Sequence, residues 1–356
     1  MTGLIDMTAS AALTGLRVAV ADAVDDAAVT AIRDAGAVVV TGSSAPSDQV
    51  VGEADIAVTA DPPPTAVCIT PTAAALRTRL SAVACDLAVA NAAMTVLAAR
   101  SPGRWPADVR LAAPPEPVIG VALDARTLGA VTAALSRTGA RVVDGDFGAR
   151  ERLTVPDGVD AVITAPGPGL PRDLCSVTVR VDGSVVTVAA RAFDDAVAVD
   201  IAASLTNMQE VQRVWPLSTA DPVELVVFGA HLRGGPLTHQ LTDLGGRWAG
   251  ETTTAPRYRM TVLPTVPPKP AITRVPDDLP GTALYGHRWL LSAAALGRFL
   301  AALPAPMQLG KVEFDDGSWR TAFGCDAAAA TGADISRYGS WPGAVAAGAV
   351  RDGAAG

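Results

Sequence analysis

The sequence predicts two folding units. The first is an α/β domain with a largely parallel sheet over residues 1–213, and the second is a β-rich α+β domain over 222–348. Three observations carry this. In the first half, apolar runs of strand length alternate with capped segments of helical period. Past residue 222, strand-like runs follow one another, separated by turns, with a single helical stretch. Between the halves, at about 210–221, a helix ends and Ser218-Thr-Ala-Asp-Pro222 begins, a run that continues neither pattern.

The first half opens with Leu16-Arg-Val-Ala-Val20, a short apolar run of the buried-strand kind. Asp25 and Asp26 can cap the helix that follows, with Val29, Ile32 and Ala35 on its inner face. Gly36 ends that helix and Ala37-Val-Val-Val40 is the next strand. The same unit recurs: Val118 to Leu123 as strand, Asp124 before a helix carrying Leu128, Val131 and Leu135, Gly139 as stop, and Arg141 to Val143 as strand. A further strand, Val159 to Thr164, runs into a Pro-Gly-Pro-Gly loop. Val177 to Val188 predicts a hairpin turned at Asp182-Gly183, and a helix from Asp194 to Leu205 closes the half. Asp25-Asp26 and Asp194-Asp195 each open a helix, so capping and the helix dipole explain them better than metal binding. In the second half, strands are expected at 223–230, 258–263, 283–290 and 311–315, with a helix at about 292–302. A small closed barrel fits this spacing.

Composition narrows the classes of function. The chain has 356 residues, enough for two cores, and is 49% hydrophobic and 18% charged, as a globular protein is. Its net charge of −8 lies wholly in the first half, where 24 acidic side chains face 16 basic ones; residues 214–356 carry 12 of each. Neither half offers a basic surface for nucleic acid. The four cysteines, Cys68, Cys85, Cys175 and Cys325, lack metal-type spacing and sit among apolar or small neighbours, so buried thiols and no bound metal are expected. Gly167-Pro-Gly169 follows a strand, but it lacks the glycine spacing of a dinucleotide loop, and no other cofactor motif is present. The N-terminus carries Asp6 and no basic stretch, and no uninterrupted apolar run of membrane length occurs. The expectation is a cytosolic protein with neither cofactor nor membrane partner.

Side chains capable of chemistry are scarce, and they cluster. The chain has three histidines and two lysines. His231 and His239 lie within Gly229-Ala-His-Leu-Arg-Gly-Gly-Pro-Leu-Thr-His-Gln-Leu241; Thr254-Ala-Pro-Arg-Tyr-Arg-Met260 and Lys269 follow closely. Together with Leu303-Pro-Ala-Pro306, Gly310-Lys-Val-Glu313 and Phe323-Gly-Cys-Asp326, this stretch resembles the C-terminal domain of allophanate hydrolases, from about Val223 to Trp341. The resemblance implies a γ-glutamyl-cyclotransferase-like barrel for this half. It also implies an amidase-signature origin for the first. Val18-Ala-Val-Ala-Asp22 and Val29 through Gly42 are similar to the opening of an amidase domain; Thr70-Pro-Thr, Thr78-Arg79 and Cys85-Asp86 to a late segment; Ala192 to Ala196 to its closing helix.

The amidase machinery itself is missing from the sequence. Where that family carries the lysine of its Ser–cis-Ser–Lys triad, this chain has Ala21, and the first half contains no lysine at all. Gly42-Ser-Ser44 only echoes the nucleophile loop. A serine hydroxyl needs a base to become a nucleophile, and no lysine or histidine precedes residue 231. The expectation is a degenerate amidase-like scaffold.

The second half keeps usable groups. In the resembling enzymes this domain is associated with decarboxylation of N-carboxycarbamate, a dianion. Such a site must gather two carboxylates on fixed cations and protonate the leaving nitrogen. His231, in a Gly-flanked turn at the end of Leu225-Val-Val-Phe-Gly229, is the candidate general acid and anion contact; a plain turn histidine is the alternative. Arg257 and Tyr258 are candidates for binding a substrate carboxylate, or else an edge-strand pair. Lys269, between the prolines of Pro267-Pro-Lys-Pro270, offers a preorganised ammonium or a solvated loop lysine. Gly229, Ala230 and Leu232 could present backbone amides to an oxyanion. His239 and His287 read as structural, and Cys325 has no histidine near it in sequence.

The resemblance therefore implies an allophanate-hydrolase-like protein of urea or carbamate metabolism. Its amidase site is lost, and its second half binds a small carboxylate or carbamate, with decarboxylation as the chemistry on offer. Two alternatives stay open: a non-catalytic partner or regulatory subunit of an amidase or urea carboxylase, and a cyclotransferase-type barrel that would need Glu224, Glu251 or Glu313 in its pocket. A homodimer is a further partnership the resemblance allows.

Overall fold

The computed structural model describes residues 12–21, 24–41, 54–60, 62, 67–73, 75–76, 80–100, 105–148, 152–167, 170–208 and 222–350. Gly42-Ser-Ser44, Thr78-Arg79, the second half of the Pro-Gly-Pro-Gly loop and the expected boundary at 210–221 lie outside these residues. The chain divides into two compact units, Met1–Asp221 and Pro222–Gly356.

The first unit is built on one ten-stranded sheet, in the order β2-β1-β3-β5-β4-β9-β10-β8-β6-β7. Its strands are β1 (Arg17–Val20), β2 (Val38–Thr41), β3 (Ile56–Thr59), β4 (Val67–Thr70), β5 (Ser81–Ala84), β6 (Val118–Ala122), β7 (Arg141–Val143), β8 (Ala161–Thr164), β9 (Leu174–Val181) and β10 (Ser184–Arg191). The α/β class is as the sequence predicts, and the sheet is mixed. The two strand–helix–strand repeats form its parallel flanks: β1 pairs with β2 and β3, and β6 pairs with β7 and β8. The strands between them are antiparallel, because β9 and β10 are a hairpin and β4 and β5 join it to the first flank. The hairpin turns where expected. Asp182 and Gly183 have φ of 45° and 81°, the left-handed pair that a two-residue turn between twisted strands requires.

Among the described residues, four helices lie in this sheet's connections: α1 (Asp26–Asp34), α2 (Leu87–Arg100), α3 (Ala125–Leu135) and α4 (Asp195–Leu205). Asp25 caps α1 by accepting from the Ala28 amide, and Asp124 caps α3 by accepting from Arg126 and Thr127. Asp194 departs from the expectation. It stands at the N-cap of α4 but makes no side-chain cap bond; its carboxylate instead takes the fork of Arg110 at 2.8 and 2.6 Å, and Arg110 also reaches Asp160. Asp195, next to it, is buried and accepts from the Thr72 amide at 2.8 Å and hydroxyl at 2.7 Å. Together these contacts tie α4 to the segments around β4, β6 and β8. The four cysteines are free, but they are not uniformly buried as expected: Cys68 and Cys175 are, Cys325 is half-buried and Cys85 is exposed.

The second unit holds a five-stranded sheet in the order β12-β15-β11-β17-β16 and a two-stranded ribbon, β13-β14. The strands are β11 (Val223–Val227), β12 (Arg247–Thr253), β13 (Tyr258–Leu263), β14 (Lys269–Arg274), β15 (Tyr285–Leu291), β16 (Met307–Glu313) and β17 (Trp319–Cys325). The helices are α5 (His239–Thr242), α6 (Ala293–Ala301) and α7 (Trp341–Ala346). Strand β11 is central, antiparallel to β15 and parallel to β17. The two outer strands approach each other just past their ends. Thr254 and Phe314 form an antiparallel bridge, flanked by bonds from the Ala255 amide to Glu313 and from the Asp315 amide to Thr253. The sheet thus closes on itself at that end. Phe228, Met260, Trp289, Phe314 and Leu291 fill the interior, and Phe299 of α6 packs against them. Gly286 is required there: a Cβ would stand 2.8 Å from the Phe228 ring.

Candidate functional site

The candidate site grows from the end of β11. After Val227 the chain leaves the sheet and folds into consecutive turns through residues 228–238 before α5. Backbone bonds staple this loop: the Leu232 amide donates to Gly229, Gly235 to Leu232, and Leu237 to Ala230, at 2.9, 2.7 and 2.9 Å. The Thr238 hydroxyl adds a 2.6 Å bond to the Leu232 carbonyl. Gly234 has a φ of +80°, and a Cβ on Gly235 would meet the Ala230 carbonyl at 2.5 Å, so the turn depends on this glycine pair.

His231 projects from this loop into an aromatic corner. Its ring stacks on Phe323 of β17, with centroids 5.3 Å apart, and meets Phe299 of α6 edge-on at 5.4 Å. Nε2 lies 2.9 Å from Oε1 of Gln240, an acceptor, so the neutral ring carries its proton at Nε2 and leaves Nδ1 open to a second one. Burial holds the imidazole below its usual pKa; the Gln240 bond opposes this, and the charges of Lys269 and His239 reinforce it. Among the described residues, the charges acting on His231 are therefore cationic. That is the surrounding an anion would enter, and it is the wrong one for a histidine that acts as a base beside a carboxylate.

Lys269 is placed with the loop by packing as well as by charge. It starts β14, so of the two readings the solvated loop lysine does not hold: the prolines around it do not prevent pairing with Leu263 of β13. Its neighbour Pro270 lies against Gly229 so closely that a Cβ there would come within 2.5 Å of the proline ring. Of the three amides expected to face an oxyanion, Leu232's is already spent on Gly229. Those of Gly229 and Ala230 donate to no backbone carbonyl among the described residues.

Arg257 and Tyr258 take other partners. The guanidinium of Arg257 is exposed and bonds the Asp277 carbonyl at 3.3 Å. Tyr258 is in the core, with its hydroxyl oxygen accepting from the Glu313 amide at 2.7 Å. Among the described residues no hydrogen bond, ion pair or ring contact joins either to His231. Two of the three glutamates in this half are held by arginines: Glu224 by Arg288 and Arg320, and Glu313 by Arg274. Glu251 faces Tyr285. His239 opens α5 with Nδ1 3.1 Å from the Pro236 carbonyl. Gln240, Phe299 and Phe323 escaped the sequence reading. Glutamine and phenylalanine carry no chemical signature, and Phe323 meets His231 only because β17 pairs with β11.

The match to known families falls on the segment that carries this loop. Residues 223–346 match the allophanate hydrolase C-terminal domain. The chain is similar to part of the urea amidolyase of Lachancea kluyveri, 30% identical over 142 residues, and to that of Saccharomyces cerevisiae, 32% identical over 124. These alignments cover 38% and 33% of the chain but only 8% and 7% of the two relatives, so the chain spans a small part of their length. Two solved structures share the fold across both halves. The Kluyveromyces lactis allophanate hydrolase aligns with a TM-score of 0.70 at 19% identity, covering 94% of this chain and 88% of that one. The K. lactis urea amidolyase aligns with a TM-score of 0.70 at 18% identity, covering 94% and 33%.

Proposed function

We propose that the allophanate hydrolase C-terminal domain of this chain binds a small, urea-derived dicarboxylate of the N-carboxycarbamate type at His231, and protonates its nitrogen as it loses carbon dioxide. The observation that carries this is the charge environment of His231: a half-buried imidazole between two phenylalanines, whose charged neighbours are Lys269 and His239. Lys269 offers an ammonium to one carboxylate, and the Gly229 and Ala230 amides offer donors to the same anion. Burial keeps the imidazole neutral in the empty site. A dianion reverses the local field, favours the imidazolium, and so loads Nδ1 with the proton the reaction needs. The C–N bond then breaks with its electron pair passing to nitrogen, the imidazolium proton joins that pair, and carbamate and carbon dioxide leave.

Residues 1–213 serve in this reading as an amidase-like scaffold without its own chemistry, since Ala21 stands where the resembling family has its lysine. The natural dianion would then come from an intact amidase elsewhere. The urea amidolyases to which the chain is similar are named for the wider process, which supports a partnership with an amidase or carboxylase supplying the remaining steps.

The test is carbon dioxide release from freshly generated N-carboxycarbamate. Purified protein should accelerate it, and His231→Ala should remove the gain. No acceleration over buffer would overturn the decarboxylase reading. Binding of malonate, which has a methylene where the substrate has its nitrogen, tests the anion site separately.

A further inference from the structure

His287, the third histidine of this domain, is tied to the His231 loop through the backbone. Strand β15 sets His287 opposite Val227, the last residue of β11, so its ring reaches past the strand end to the loop that carries His231. Both ring nitrogens are engaged. The Arg233 amide donates to Nδ1 at 2.8 Å, and Nε2 lies 2.8 Å from the Tyr285 hydroxyl. A backbone N–H can only donate, so Nδ1 is the unprotonated nitrogen and the ring proton sits on Nε2, given to the Tyr285 oxygen. The carboxylate of Glu251 on β12 acts on the Tyr285 hydroxyl from the other side. The ring is therefore fixed from both sides, with the loop amide donating to Nδ1 and Nε2 donating to the phenol.

We infer that His287 is a positioning residue for the His231 loop: as a neutral imidazole it latches the Arg233 amide and holds the turn over residues 229–235, and as an imidazolium it releases that turn. This rests on the reading of the His231 site given above. Protonated Nδ1 would face the Arg233 N–H donor to donor, so the bond would be lost outright and not merely weakened. The loop is sensitive to that loss because Gly234 and Gly235 follow Arg233 at once and bring little stiffness of their own. The Arg233 guanidinium lies 4.4 Å over Trp248, which is itself edge-on to His287, so the whole corner moves with the latch. The charged and titratable groups facing His287 are Glu251 from β12, Arg233 from the loop and Tyr285 from its own strand. Burial and Arg233 favour the neutral ring, and Glu251 opposes them. The latch is thus shut at neutral pH and opens on acidification below the usual histidine range.

The test compares the intact protein with His287→Asn, whose Oδ1 can accept from Arg233 and does not titrate. Amide-exchange protection of Arg233 is followed by NMR from pH 7.5 to 5.5 as a protection factor, which removes the intrinsic effect of acid on exchange. Malonate affinity is measured at the same pH values. Protection should fall at least tenfold on acidification in the unmodified protein and hold steady in the asparagine variant. Malonate affinity should follow the same contrast, with malonate's own ionisation cancelling between the two proteins. Protection that ignores pH, or that falls equally in both proteins, overturns the latch. Imidazole nitrogen shifts of the unmodified protein give an independent check: Nδ1 protonated at pH 7.5 would also overturn it. If malonate binds neither protein at any pH, the anion-site reading fails while Arg233 protection still decides the latch.

Discussion

Lys269 shows what a single residue contributes here. It is one of two lysines in the chain, and its charge acts on His231 from across a glycine–proline contact. Lys269→Met should weaken malonate binding about tenfold, near 1.4 kcal/mol. The same change should raise the His231 pKa, since the ammonium now pushes it down; imidazole titration by NMR reads this, and a fall would contradict the placement. Malonate binding should also draw a proton onto His231. Calorimetry near pH 7 in buffers of different ionisation enthalpy should show net uptake in the unmodified protein and none in His231→Ala. His231 and Lys269 were legible in the sequence because their residue types are rare in it. Arg257 and Tyr258 looked equally eligible, but spacing along the chain cannot tell a side chain that faces a cleft from one whose hydroxyl serves the Glu313 amide.

At the scale of elements, the buried end of α4 makes a pH prediction. Burial, against the two Thr72 bonds, pushes the Asp195 carboxyl up from its ordinary 3.8 to about 6. A raised acid stabilises the fold most below its unfolded value, and that stability is lost as pH rises through the folded one. The effect is worth up to about 3 kcal/mol between pH 4 and 7. Asp195→Asn should flatten the thermal-unfolding profile over that window; an unchanged slope would place the pH dependence elsewhere. Gly229→Ala acts on the second unit. Its Cβ would meet Pro270, so a loss of about 1–3 kcal/mol is expected in thermal unfolding, with weaker malonate binding. The repeats that make the parallel flanks were readable because each has a capped, amphipathic helix between its strands. The strands between β1 and the β9–β10 hairpin were not. Strands β3, β4 and β5 have four residues each, and Ser81–Ala84 is half alanine. Helix α2 is apolar on every side, with Ala90, Ala93, Met94 and Leu97 all fully buried, so it shows no period to find. In the second unit, β12, β14 and β17 were missed for a related reason: their faces are half-exposed, and Lys269-Pro270 looks like a turn until β13 pairs with it.

Over the whole molecule the two units divide the charge as well as the fold. The half that carries the candidate site is neutral overall, so a dianion approaching it meets no net repulsion from that half, while the acidic half holds the excess negative charge. Purified chain should release no ammonia from allophanate, because its first 213 residues contain neither lysine nor histidine to activate a serine. Sustained ammonia production would overturn the loss of amidase chemistry. The class of each half and the location of the His231 loop could be read from the sequence; the mixed order of the large sheet could not, since it depends on pairings between β4 and β9 more than 100 residues apart. One pairing in the second unit bears on how the protein is made. Strand β11 is the first strand of the second unit to be synthesised, yet its neighbour β17 is the last strand among the described residues, and Phe323 on β17 is the wall against which His231 stacks. A nascent chain therefore has its histidine, its lysine and its glycine turn long before it has a site. A stop between Lys269 and Phe323 would leave the histidine, the lysine and the glycine turn in place but remove the ring on which the imidazole stacks, so the candidate site depends on synthesis continuing through β17.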